Sequence, residues 1–108
     1  MKKHEEFMEA MSRCAIVECA DGFKMSVQAH EGAYCTPRTN NADIYTLVEV
    51  GFPNRRETLL IKYAEDPDAL TETVYGWVPV QLVTDIIAKH GGMVSGEVPP
   101  GVIPLEAR

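Results

Sequence analysis

The stretch TVYGWVPVQLVTDIIAKHGG, residues 73–92, carries the sharpest structural signals in the chain. Val74, Tyr75, Trp77 and Val78 are β-branched or aromatic and suit a pleated, half-buried strand. Pro79 follows, and its fixed φ and missing N–H suit the first position of a helix. Val80, Leu82, Val83, Ile86 and Ile87 then recur at the spacing that lines one helix face, while Gln81, Asp85 and Lys89 turn outward. Lys89 and His90 place positive charge at the carbonyl end, and Gly91-Gly92 supplies the left-handed stop. The reading is a strand running directly into an amphipathic helix. Trp77 stands at the joint and is expected to seal the core, so that Trp77→Ala should cost roughly 3–5 kcal/mol.

Upstream, CAIVEC (residues 14–19) and FKMSVQA (residues 23–29) flank Asp21-Gly22, a strong hairpin signal. In the second segment Phe23, Met25, Val27 and Ala29 alternate with Lys24, Ser26 and Gln28, which predicts a sheet covered on one face. EGAYCTPRTNNAD, residues 31–43, has no periodicity and reads as a loop of about thirteen residues, a length usually tied to function or disorder. IYTLVEV (residues 44–50) reads as a central strand. ETLLIKY offers a fourth strand over residues 58–63, after a turn bearing Arg55 and Arg56. AEDPDALTE, residues 64–72, is an acidic connection. The predicted class is α+β: a mainly antiparallel sheet of about five strands with one C-terminal helix packed on it. Residues 1–13 read as a short N-terminal helix or leader, 14–92 as the single domain and 93–108 as an extended C-terminal arm. That arm holds apolar residues that disordered tails lack, so it should dock: a homodimer held partly by the arm is expected, with an arm folded back over its own sheet as the alternative.

Composition narrows function. The chain has 108 residues, 10 Lys and Arg against 16 Asp and Glu, and a net charge of −6, with no basic excess to bind nucleic acid. No apolar run approaches the roughly 20 residues of a membrane span, and the opening MKKHEEFMEA does not resemble a secretory signal, so a cytoplasmic protein is expected. Three cysteines form no disulfide framework.

MSVQAH, YCTPR, YTLVEVGFP, TVYGWVPV and IIAKHGG, in that order from Met25 to Gly92, resemble a family of small uncharacterised proteins encoded in bacteriophage and prophage genomes. The resemblance covers about two thirds of the chain. It implies a role against the host, such as countering host defence, and supplies no catalytic or binding residues.

Chemistry must therefore come from the residues themselves. Cys14, Cys19, Cys35, His30 and His90 lack the close paired spacing of structural zinc sites, and no metal or cofactor is expected. Cys35 with His30 or His90, oriented by Asp43, would be the constellation of a small thiol-dependent enzyme, but no motif accompanies it. GxGxxG and GxxxxGK are both missing. A recognition surface is the favoured reading, built from Tyr34, Arg38, Asn40 and Asn41 of the long loop and joined by Arg55 and Arg56. Arg and Tyr combine planar contact area with hydrogen bonding, and a guanidinium suits carboxylate or phosphate. The expected function is a non-enzymatic binding protein that antagonises or modulates a host macromolecule, most directly a host protein. A sponge for a small anionic ligand or nucleotide is the alternative.

Overall fold

The computed structural model describes residues 14–108; the helix or leader expected over residues 1–13 lies outside them. Five strands, β1 (Val17–Cys19), β2 (Lys24–Gln28), β3 (Leu47–Gly51), β4 (Val74–Pro79) and β5 (Met93–Ser95), form one sheet in the order β4-β3-β2-β1-β5. All neighbouring pairs are antiparallel. One α-helix, α1 (Val80–Lys89), follows β4 without a linker, so the α+β class holds. No helix among the described residues is long and apolar enough to cross a membrane.

The Asp21-Gly22 turn joins β1 to β2 as its composition requires. Gly22 has φ +90°, a conformation that suits glycine, and the Asp21 carboxylate accepts the Phe23 N–H at 3.0 Å. Met25, Val27, Val48, Val50, Tyr75 and Val78 are fully buried on one face of the sheet together with Val83, Ile86 and Ile87 of α1. Burying a side chain of this kind contributes about 1.5–3 kcal/mol, so this seam holds the domain. The helix ends where Gly91 and Gly92 adopt φ +92° and +91°. Gly92 has a second duty, because a Cβ there would lie 2.7 Å from the Ala107 nitrogen of the returning tail.

Two expectations are corrected. Residues 58–63 form no strand: Thr58–Tyr63 is a 3₁₀ helix, and the fifth strand comes instead from the tail as β5. The Glu57 carboxylate accepts the Leu59 N–H at 3.0 Å and caps the turn, and Leu60 is its buried side chain, where a strand would bury alternate residues.

Trp77 does not seal the core; it is 48 % exposed. β3 residues Val48 and Val50 pair with Val78 and Tyr75, so Glu49 faces both Gly76 and Trp77 across a β-bulge. The bulge gives Trp77 a φ of +52° and re-aims its ring outward.

The tail, finally, lies on its own domain. Met93 N–H donates to Leu105 O, Ala107 N–H to Met93 O and Tyr45 N–H to Pro100 O, while Val102 is buried in the core.

Candidate functional site

The long loop is ordered by its own polar groups. The buried Tyr45 sends its hydroxyl to Thr39 O at 2.7 Å, Asn40 Oδ1 accepts the Glu31 N–H at 3.0 Å, and Thr36 pairs with Leu47 at the end of β3. Tyr34 is thereby laid against the sheet: its N–H donates to Glu49 Oε1 at 3.1 Å and its carbonyl accepts the Trp77 N–H at 3.0 Å. The two rings stack with centroids 4.9 Å apart and planes 26° from parallel. Arg38 sets its guanidinium carbon 5.5 Å from the Tyr34 ring centre and donates from Nε to Glu31 O. Gly76 belongs to this geometry, because a Cβ there would come within 3.2 Å of the Tyr34 Cβ.

Beyond the 3₁₀ helix, Ala64 pairs with Tyr75 along the outer edge of β4 and Glu65 N–H donates to Val74 O at 2.9 Å. That pairing brings Tyr63 and Glu65 up to Tyr34 and Trp77. Together with Ala64 and Gly76 they line a cleft of about 380 Å³. Lys62 holds its ammonium 5.3 Å from the Tyr63 ring centre. Among the described residues no cation pairs with the Glu65 carboxylate.

The expected site residues therefore separate. Tyr34 and Arg38 come together as anticipated, with Trp77 as the partner that composition hid. Asn40 is spent on closing the loop, and Asn41, at φ +55°, lines a smaller hollow of about 180 Å³ beside Tyr45, Pro99 and Pro100. Arg56 is exposed at the β3 turn. Arg55 belongs to the opposite end of the sheet, where its guanidinium donates to Asp21 O at 2.8 Å and lies 5.9 Å from the Phe23 ring centre.

At that end the Phe23 ring stacks on His90 at 4.1 Å. The His90 imidazole spans two carboxylates, Nδ1 at 2.6 Å from Asp21 Oδ2 and Nε2 at 2.6 Å from Glu57 Oε1. Lys89 Nζ donates to Glu57 Oε2 at 2.8 Å. Burial alone would raise the Glu57 carboxyl, but the Lys89 ammonium, the Leu59 N–H and His90 outweigh it and hold it below the ordinary carboxylate range. Asp21 is lowered by its hydrogen bonds from His90 and the Phe23 N–H. Each ring nitrogen thus faces a carboxylate oxygen, one from the hairpin turn and one from the segment before the 3₁₀ helix. Every polar atom here has a partner within the chain, so the cluster clamps the hairpin turn to the end of α1.

Cys35 is buried, and its thiol faces the carbonyls of His30 and Pro37 at 3.3 and 3.4 Å, while His30 Nδ1 accepts the Gly32 N–H. Burial pushes the Cys35 thiol up, as it does those of Cys14 and Cys19. Among the described residues no imidazole addresses this sulfur, so the pair of Cys35 with His30 or His90 considered from sequence is not assembled. Among the described residues no group of three His, Cys, Asp or Glu side chains could hold a metal ion.

Trp77, Tyr63 and Glu65 were not among the site residues expected from sequence. A signal existed for the first: a glycine inside a strand marks a bulge or a close approach, and Gly76 provides both.

Comparison with protein families, with curated proteins and with solved structures finds no match for the chain. The class that the fold and site define is an α+β domain with an aromatic cleft at a sheet edge.

Proposed function

We propose that the protein is a non-enzymatic binding protein of the phage type, acting in the host cytoplasm by occupying a host protein through the Tyr34–Trp77 cleft. One observation carries this reading: a large aromatic is held at φ +52° with its ring half exposed. A bulky residue in that region costs about 1–3 kcal/mol, and such strain concentrates where a surface is built for contact. Tyr, Trp and Arg are also the residues that dominate protein interfaces. Against an enzyme, the Cys35 thiol faces carbonyls and supplies no activated nucleophile. Against an anion sponge, the cleft that would take the ligand contains Glu65.

The test is capture from host lysate by the immobilised full chain and by the Tyr34→Ala/Trp77→Ala variant, with circular dichroism confirming that both are folded. Retention of a host protein by the wild type and its loss by the variant is expected. Equal retention by the two rules the cleft out as the docking surface.

Self-association is proposed on a separate surface. Ile16, Val94, Ile103 and Leu105 remain exposed around β1, β5 and the tail, and they offer apolar area to a second copy even though the arm itself is folded back.

A further inference from the structure

Within the cleft, three aromatic residues and one carboxylate converge, and the chain already shows what two of these rings attract. The Arg38 guanidinium lies 5.5 Å from the centre of Tyr34, and the Lys62 ammonium 5.3 Å from that of Tyr63. Both distances fall within the ~6 Å over which a ring's negative face attracts a cation. Trp77 offers the strongest such face of the three residue types, and among the described residues no cation lies over it. Glu65 shares the cleft, and Asp66, Asp68 and Glu72 continue the same exposed acidic segment. The chain as a whole carries a net charge of −6.

We infer that the cleft receives a cationic side chain, a guanidinium or ammonium, carried on a basic segment of the partner protein. The cation lies on the Trp77 indole and Glu65 provides its counter-charge. This deepens the reading of the cleft as a docking surface by naming what enters it. The volume of about 380 Å³ accommodates a side chain of arginine or lysine size with room for its backbone at the mouth. A planar anion would stack as well on Trp77 but would meet the Glu65 carboxylate, and the Arg38 guanidinium that could attract it is already directed to Tyr34 and the Glu31 carbonyl. The acidic segment next to the cleft gives the approach of a basic peptide a favourable field, which salt weakens.

Trp77 is the single tryptophan, so its fluorescence reports the site directly. The full chain is titrated with the peptide acetyl-Gly-Arg-Gly-Lys-Gly-amide, with its counterpart carrying citrulline and norleucine for Arg and Lys, with tetramethylammonium, and with adenosine monophosphate. The basic peptide should change Trp77 emission saturably, the uncharged counterpart should bind about tenfold more weakly, and Glu65→Gln should weaken the basic peptide about fivefold. Equal binding of the uncharged peptide, or preferential binding of the nucleotide, overturns the assignment. Saturation by tetramethylammonium at concentrations as low as the peptide's assigns the cleft to a free small cation and overturns the peptide-borne source. An emission indifferent to every probe overturns the cation proposal, and capture of a host protein lost on Tyr34→Ala/Trp77→Ala would then show that the docking surface stands without it.

Discussion

Two stacks of similar build occupy opposite ends of the sheet. In each, a guanidinium and a second ring lie against a central aromatic: Arg55 and His90 against Phe23, Arg38 and Trp77 against Tyr34. The first is closed. Phe23 and His90 are buried, and His90 and Arg55 are tied to Asp21 and Glu57. The second is open, with Trp77 half exposed on a bulged backbone beside Glu65, with which no cation among the described residues pairs. The difference is that one stack serves stability because its polar atoms find partners inside the chain, whereas the other leaves ring faces and a carboxylate exposed, which is what the proposed docking role uses.

Breaking the closed side should have the larger consequences. Two β4 residues separated only by Gly76 give the sharpest contrast: Tyr75 is fully buried and Trp77 is not. Tyr75→Ala is expected to lower unfolding free energy by about 4 kcal/mol in urea denaturation, the range for truncating a buried aromatic. Glu57→Ala leaves His90 and Lys89 without their shared carboxylate, and a loss of about 3 kcal/mol is expected by the same measurement. A loss below about 1 kcal/mol would show that the network contributes little. Trp77→Gly removes a stacking contact but relieves a φ of +52°, so its denaturation midpoint should stay within about 1 kcal/mol of wild type.

The closed cluster also sets a pH dependence. The Asp21 and Glu57 carboxyls are lowered in the folded chain, so each binds a proton less readily there than when unfolded. Their contribution is complete above the ordinary carboxylate range, about pH 5, and is lost as pH falls through their lowered folded values. Thermal midpoints measured from pH 6 down to pH 3 should therefore fall, and Glu57→Gln should flatten that fall. An equally steep fall in the variant would place the acid sensitivity elsewhere. The smallest effect concerns assembly. Light scattering at micromolar concentration should report a dimer that Val94→Lys weakens, and a monomeric wild type would remove the self-association proposal.

How far these regions could be read from the chain differs for physical reasons. The β1–β2 turn, β2 and α1 are governed by local chemistry, Asp21-Gly22 for the turn and Pro79 with Gly91-Gly92 for the helix ends, so their positions followed from sequence within a residue or two, while β1 begins three residues later than expected. Residues 58–63 have strand-like composition, yet Glu57, held by Lys89 and His90 at the end of α1 more than thirty residues away, caps a 3₁₀ turn in their place. Only the tertiary pairing decides that. Met93–Ser95 likewise became a strand because the double-glycine turn returns the chain to β1, a partner that periodicity in three residues could not announce. That Tyr34 and Arg38 would lie close together was legible from their places in one long loop. The approach of Trp77 was not, since its orientation depends on a one-residue register shift against Glu49.

The most direct test of the contrast between a closed and an open end is to measure stability and partner capture on the same variant, Tyr34→Ala/Trp77→Ala. The account predicts a denaturation midpoint close to wild type, far from that of Tyr75→Ala, together with loss of the host protein that the wild type retains. A variant that unfolds as readily as Tyr75→Ala, or one that is stable and still captures the same partner, would contradict it.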